Sequence, residues 1–558
     1  MSDQEEVVRA LSQPSFYPHR PEAVRHYQTH VSHVFVAGAY ACKLKKSVRY
    51  SFADFSTLEL RRRFCEEEVR LNRRLCPSVY FGVRSVTRAR DGSLALDGDG
   101  AEVEPLVWMR ALPERGMLPV ALAEGRVHAD VLEAFARDLA RFHASPDTTP
   151  PPQLAIADAA STIARWRQVM DDAAPMAGTL LGVADHEVLS DFGPTFAQRH
   201  ETLLATRGPA GRVRDGHGDL HTGNLCLVET PLPPLDGAPE VPAGLHAFDC
   251  LEFSPELRTN DVASEVAFLA MDLEARGHPE LAQVFVDAYV AATGDTDVRV
   301  LLPFYACHRA CIRGMVMGLK ARGDDVAPRE RDEAAERSRV HFALATRLAW
   351  SSAGPAIVCC TGLSGSGKTT LAVQLARTTG FRHIASDEVR KRRAGLDPHA
   401  RTPAEVGATL YRDEMRRETY RALAAEAEHA LARGDAVILD ATFHRREERE
   451  PVHALARRVR CPLVFLECVA DEATIRERLR RRHERPEQAA AAGQPALSDA
   501  GWEVYVAQRG RAEPLEAAEP ALRIDTSGDP EEVATRALRL LWAWRRRHVA
   551  RAVLTDAS

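Results

Sequence analysis

Eight consecutive residues, Gly362-Leu363-Ser364-Gly365-Ser366-Gly367-Lys368-Thr369, restrict the folds open to this chain more than any other stretch. They follow the apolar run Ala356-Ile357-Val358-Cys359-Cys360 and precede a helical pattern that begins at Leu371. The order predicts a strand, a phosphate loop and a helix. The glycines let the backbone turn tightly enough for successive N–H groups to converge on phosphate oxygens, and the helix adds the positive end of its dipole. Gly362, Ser364, Gly365, Ser366, Gly367, Lys368, Thr369 and Thr370 are the expected nucleotide-binding residues. Lys368 would reach the β- and γ-phosphates, and the Thr369 hydroxyl would hold Mg2+. Downstream, His383-Ile384-Ala385, Ala436 to Asp440, Leu463 to Cys468 and Leu522 to Asp525 are short apolar strands separated by helical stretches. That alternation predicts a parallel sheet covered on both faces.

At 558 residues the chain exceeds what one hydrophobic core can organise, and two to four domains are expected. The formal charge of −6 argues against a globally basic nucleic-acid binder. Eleven cysteines without a CxxC pair fit buried thiols in a reducing compartment better than a disulfide framework or a zinc site. The acidic start lacks a basic, then apolar leader, and no run of about 18 apolar residues occurs, so the expected location is the cytoplasm, without a membrane partner.

In the first half, after a polar leader, Val34-Phe35-Val36 and Ala39 to Lys45 predict two strands joined by a turn at Gly38. Lys43 and Lys45 then share one strand face. Leu60, Phe64, Leu71 and Leu75 make an apolar stripe at helical spacing, flanked by Glu67 and Glu68 on opposite sides, and periodicity leaves open which of the two faces inward. Pro105 to Met109 reads as an edge strand, and from about Ala129 the pattern turns helical, with Phe135, Leu139 and Phe142 on one face. The stretch His217-Gly218-Asp219-Leu220-His221-Thr222-Gly223-Asn224 is followed by Phe248-Asp249-Cys250-Leu251-Glu252. An Asp and an Asn five residues apart suit a loop in which a carboxylate orients an attacking hydroxyl and an amide helps hold metal, and Asp249 suits a second metal carboxylate. A polar turn is the plain alternative. Beyond it, Asp261, Glu265 and Asp272 recur along one helix face, a row expected to be solvated or to meet a cationic substrate.

Residues from about 30 to 320 resemble the aminoglycoside phosphotransferase branch of the protein-kinase-like fold, through the signature HGDxHxxN met by His217, Gly218, Asp219, His221 and Asn224. The resemblance implies Asp219 as catalytic base, Asn224 and Asp249 as Mg2+ ligands, and Lys43 on the nucleotide phosphates, with Lys45 as the alternative. It pairs that lysine with Glu68, because the family pattern ExxxxxxL is met by Glu68 and Leu75. A full glycine-rich turn before Lys43 is missing, although Gly38 is present.

Residues from about 356 to 545 resemble small P-loop kinases of the gluconate-kinase, zeta-toxin and polynucleotide-kinase group, through Ser386, Asp387 and Arg390 and through Asp440, Ala441 and Thr442. That resemblance implies that Asp387 binds and deprotonates the acceptor hydroxyl; a helix N-cap is its alternative role. Asp440, at a strand end, can hold Mg2+ or its water. Arg476, Arg478, Arg481 and Arg482 precede an Ala/Gly-rich stretch near Glu487 to Gly493 and could form a lid, with Arg478 and Arg482 as its catalytic candidates. Thr402-Pro403-Ala404-Glu405 is a capping box that should open the long helix before the third strand.

The expected architecture is multidomain α+β and α/β: a kinase-like two-lobe fold over residues 1–345, then a P-loop parallel-sheet domain over 353–548. Its expected function is phosphotransfer by two kinase modules that use ATP and Mg2+, each acting on a hydroxyl of a small molecule. The alternatives are a polynucleotide 5′-hydroxyl kinase in the P-loop half, supported by its arginines and opposed by the net charge, or a nucleotide-sensing regulatory role for one half.

Overall fold

The computed structural model describes residues 3–29, 31–49, 53–323, 326–397, 413–484 and 501–556. It divides into two compact units, residues 1–168 with 194–312, and residues 169–193 with 313–558.

In the first unit, β1 (Val24–Gln28), β2 (Ser32–Ala37), β3 (Tyr40–Lys45), β4 (Tyr80–Arg88), β5 (Leu94–Leu96) and β6 (Ala101–Arg110) form an antiparallel sheet in the order β1-β2-β3-β6-β4-β5. The polar leader is structured: α1 (Asp3–Leu11) and β1 both precede the expected first strand, and Val7 and Leu11 are buried with Tyr17, Phe35 and Trp108. β6 is central, not an edge. Its ladder with β3 stops at Leu106, so Pro105 needs no N–H on that side, while β4 continues to pair past it.

Helix α2 (Leu58–Asn72) turns a different face inward from the one its apolar stripe predicts. Thr57 caps it by accepting from the Leu60 N–H at 3.2 Å. The buried residues are Arg61, Cys65, Glu68, Val69, Leu71 and Asn72, whereas Leu60, Phe64 and Leu75 are only partly covered. Polar partners make that orientation affordable. Arg61 donates twice to Glu104, at 2.8 Å each, and Asn72 accepts from the Cys250 N–H at 2.9 Å.

The helical part of the unit packs α3 (Ala129–Ala144), with Phe135, Leu139 and Phe142 buried, against α5 (Pro279–Thr293), which also packs on α4 (Val262–Ala275). Every residue of α4 from Val262 to Leu273 is buried. Two short ribbons hold the loops: β7 (Val213–Asp215) with β10 (Thr259–Asp261), and β8 (Leu225–Val228) with β9 (Gly244–Ala247).

In the second unit, β11 (Ile357–Thr361), β12 (Arg382–Ala385), β13 (Val437–Asp440), β14 (Leu463–Val469) and β15 (Ala521–Asp525) form the expected parallel sheet, in the order β12-β13-β11-β14-β15. The inward sides of β11, β13 and β14 build one core from Ile357, Cys359, Val437, Leu439, Leu463 and Phe465. The connection after β11 runs to β12 on one side and that after β13 crosses to β14 on the other, which opens a crevice at the carboxyl ends of β11 and β13. Helix α6 (Lys368–Thr379) rises from that crevice, packed by the helix Pro328–Ser351 and the C-terminal helix Pro530–Asp556. The Thr402 to Glu405 capping box and the Glu487 to Gly493 stretch lie outside the described residues.

Candidate active sites

The first site forms where β3, α2 and the two loops after β7 and β9 meet. Lys43 Nζ lies 3.0 Å from Glu68 Oε1 and 2.5 Å from Asp249 Oδ1. Lys45, two residues along the same strand face, donates to Glu68 Oε2 at 2.7 Å and to Glu252 Oε1. Glu68 thus pairs with both lysines, while Glu67 turns outward to Arg70 at 2.7 Å. Burial alone would depress the Lys43 ammonium, but Asp249 and Glu68 outweigh it and hold its pKa well above the ordinary lysine value. Burial likewise pushes Glu68 up, and its two lysines overcome that and leave it below the usual carboxylate range. Glu252 ends above that range, because burial exceeds what Lys45 returns.

Asp219 and Asn224 are held in one turn: Asn224 Nδ2 donates to the Asp219 carbonyl at 2.9 Å and to its Oδ2 at 3.0 Å. The loop is fixed to the metal-type loop by His217. Its Nδ1 accepts from the Asp219 N–H at 3.3 Å, so Nε2 carries the proton given to the Phe248 carbonyl at 2.9 Å. Burial lowers the His217 pKa, which keeps the ring neutral for that role. Asp249 has φ +62°, and its N–H donates to the Tyr80 hydroxyl at 3.0 Å. Gly218 has φ +81°, and a Cβ there would stand 3.1 Å from Arg258 Cα.

The acidic row is neither solvated nor free to meet a substrate. Asp261 accepts two bonds from Arg207, at 2.7 and 2.8 Å, and caps α4 through the Ala263 N–H. Glu265 accepts from the Gly218 N–H at 2.5 Å and sits 2.8 Å from His143 Nε2; burial would raise its pKa, but the His143 contact and its neighbours hold it at about 2. Asp272 accepts from the Thr222 N–H at 3.0 Å and from the Thr222 hydroxyl. Glu265 and Asp272 brace the loop of Asp219 from beneath. Arg309 adds a third brace, donating to the Gly218 carbonyl at 3.2 Å and to Ser264 Oγ at 3.1 Å.

In the second unit the phosphate loop spans the gap between β11 and α6, with Ser364 and Ser366 buried within it. Gly367 has φ +83° and is the residue before the first turn of α6; a Cβ on it would lie 3.1 Å from Arg478 Nη1. Lys368, Thr369 and Thr370 begin that helix. Asp440 ends β13 beside them. Burial pushes its carboxyl up, but His383, whose Nε2 lies 3.6 Å away, together with Lys368 and the Thr369 hydroxyl, brings it below the usual range. Asp387 is in the first turn of the helix Ser386–Arg393, whose N-cap is Ala385, and it accepts from Arg390 at 2.6 Å. Arg478 reaches the loop by donating to the Thr526 carbonyl at 2.5 Å, while Thr526 Oγ1 donates to the Ser366 carbonyl at 2.6 Å. Arg476 and Arg481 pair with Glu472 and Glu477 on the surface, and the Arg482 side chain lies outside the described residues. Gln508, which no sequence signal singled out, accepts from the Ser364 N–H at 2.9 Å.

Both sites present oxygen donors suited to a hard cation. In the first, the Asp249 side chain is 40% exposed, and the Asn224 amide nitrogen is turned to Asp219, so its Oδ1 is the end that can face a cation. In the second, Asp440 Oδ1 is buried without a hydrogen-bond partner among the described residues, next to the Thr369 hydroxyl. Two such protein ligands fit Mg2+, which keeps waters and takes its remaining ligands from phosphate.

The family model described as "Phosphotransferase enzyme family" matches residues 44–232, and that described as "AAA domain" matches residues 357–500. With the two folds above, these matches define a chain of two kinase-type parts, an ATP-dependent phosphotransferase. The chain belongs to the family of the uncharacterized protein Rv2004c of Mycobacterium tuberculosis, with which it is 30% identical over 526 residues, 93% of this chain and 95% of that protein. Among solved structures, a sugar kinase from Janibacter sp. HTCC2649 is 23% identical and covers 35% of this chain and 98% of its own, with a TM-score of 0.26. A gluconokinase from Sinorhizobium meliloti 1021 is 18% identical over 37% of this chain and 98% of its own, with a TM-score of 0.24.

Proposed function

We propose that the chain holds two separate kinase centres, over about 1–345 and 353–548, each transferring the γ-phosphoryl of ATP to a hydroxyl of a small molecule. The observation that supports this reading is that each unit has its own set of acidic, basic and oxygen-donor side chains: Lys43 meets Asp249 and Asn224 meets Asp219 in one, and Asp440 lies by Lys368 and Thr369 in the other, with Asp387 two residues past the strand end that pairs with Asp440. In the first centre Asp219 accepts the proton of the acceptor hydroxyl, and Lys43, kept charged by Glu68, holds the phosphates. In the second, Asp387 takes the acceptor proton, the loop amides and Lys368 hold the phosphates, and Arg478 meets the charge on the moving phosphoryl group. Mg2+, held by Asn224 and Asp249 or by Thr369 and Asp440, would supply charge neutralisation between the β- and γ-phosphates.

Asp261, Glu265 and Asp272 are committed to buried partners, so that row gives no support to a cationic acceptor such as an aminoglycoside in the first centre. Arg476 and Arg481, engaged with glutamates, give no support to a nucleic-acid acceptor in the second. Cytoplasmic location is supported by eleven free, buried cysteines; among the described residues no helix is long and apolar enough to cross a membrane. The test is a screen of sugars, sugar acids, aminoglycosides and oligonucleotides for ATP-dependent phosphorylation by the intact chain and by its Asp219→Asn and Lys368→Ala variants. Two acceptors, each lost in one variant only, would bear out the reading. Loss of both activities in either folded variant would replace it with one coupled machine.

A further inference from the structure

We propose that Lys45 and Glu252 are positioning residues of the first centre, a buried tether that keeps Glu68 and the Asp249 loop in place when Lys43 changes partners. The inference rests on the reading that the first unit binds Mg2+-nucleotide. Lys45 touches three elements at once: it belongs to β3, it donates to Glu68 of α2, and it donates to Glu252, three residues beyond Asp249 in the loop after β9. Both members are covered by the surrounding side chains. The Lys45 side chain is 0% exposed and the Glu252 side chain 5%, and the Lys45 ammonium lies 5.3 Å from the centre of the Phe55 ring.

Lys43 differs in its outlook. Its second partner, Asp249, is the exposed member of the network, so that contact is the one a phosphate and a cation can take apart. When Lys43 turns to phosphate, Glu68 would be left with a weakened partner in a site that water does not reach, and an unpaired buried carboxylate is strongly destabilising. Lys45 removes that problem, because it holds the other oxygen of Glu68 whatever Lys43 does. Through Glu252 it also fixes the loop on which Asp249 adopts its left-handed backbone. A pair that served stability alone could be replaced by apolar groups of the same size without loss. A tether could not, because the orientation of Asp249 toward a cation would be lost with it.

The intact chain carrying Lys368→Ala, which weakens the second site, is titrated with a fluorescent ADP analogue in the presence and absence of MgCl2. The parent should bind more tightly with Mg2+. Adding Lys45→Met with Glu252→Gln, which keeps the buried volume and removes both charges, should cut the Mg2+-dependent gain by about tenfold or more, the scale of losing a residue that orients a metal ligand. Glu252→Gln alone, which leaves Lys45 its bond to Glu68, should move the gain in the same direction, and it decides the matter if the double variant does not fold. An unchanged Mg2+ gain in a folded variant would overturn the tether and leave the nucleotide reading standing. Absence of binding by the Lys368→Ala parent would overturn the nucleotide reading, and the tether with it.

Discussion

At its proposed phosphate site the second unit offers backbone: glycines at positive φ, amide groups and a helix start, with one lysine added. The first offers side chains drawn from β3, α2 and two distant loops, linked through buried ion pairs that span more than 200 residues of sequence. Backbone cradles tolerate changes of side chain but not of glycine. Side-chain networks tolerate little change of charge, because a buried carboxylate that loses its partner costs more than the pair contributed. The two centres should therefore fail in different ways.

The largest expected effect lies in the first centre. Asp219→Asn should lower phosphorylation of its acceptor by roughly 10²–10⁴-fold, the range for a lost general base, while nucleotide binding persists. Steady-state turnover beside equilibrium nucleotide binding checks both halves of that statement, and ATP hydrolysis by the second centre should continue unchanged. Lys368→Ala should reduce second-centre turnover by about a hundred- to a thousandfold, as for one preorganised electrostatic group, with first-centre turnover intact. Equal losses at both centres in either variant would break the contrast.

A third effect separates brace from base. Glu265 titrates at about 2 in the fold against an ordinary value of 4.5. A depressed carboxylate stabilises the native state above its unfolded pKa, and that contribution fades as pH falls from 4.5 toward 2. At neutral pH it is worth about 3 kcal/mol, taking about 1.4 kcal/mol per pKa unit. Glu265→Gln should therefore be less stable than the parent at pH 7 by about that amount, with the gap closing below pH 4.5, as read by urea denaturation across pH. The smallest expected effect sharpens the contrast of materials. Gly218→Ala and Gly367→Ala each place a Cβ at positive φ and 3.1 Å from a neighbour, a cost of about 1–2 kcal/mol for the backbone alone. The neighbour of Gly218 is backbone and that of Gly367 is an arginine tip, so thermal unfolding should show the larger loss for Gly218→Ala.

The same contrast explains what could be read in advance. A backbone cradle writes itself into the sequence as glycines between a strand and a helix, and the parallel sheet after it was legible because short apolar runs alternate with helical stretches. The HGDxHxxN loop and Asp249 were legible because turn residues and metal-type donors cluster locally. The Lys43–Glu68 pair came from the family resemblance alone, and the Lys45–Glu252 contact beside it was not read at all, because α2 buries Arg61, Glu68 and Asn72, and hydrophobic periodicity looks for apolar residues on the inner face. α4 hid its acidic braces for the opposite reason: a helix buried on all sides has no polar face against which Glu265 and Asp272 could be recognised as inward. Pro105 misled by its usual preference for sheet edges, since only the end of the neighbouring ladder made its position free.

All eleven cysteines are free and buried, seven in the first unit and four in the second. Burial pushes the thiols of Cys42, Cys65, Cys76, Cys226, Cys250 and Cys468 up to about 12, so at neutral pH the reactive thiolate is present at roughly one part in 10⁵. A thiol reagent would then meet these sulfurs only when the surrounding structure opens. Their pattern of modification, read by peptide mass, is a built-in clock for local opening that runs separately in each unit and needs no introduced label.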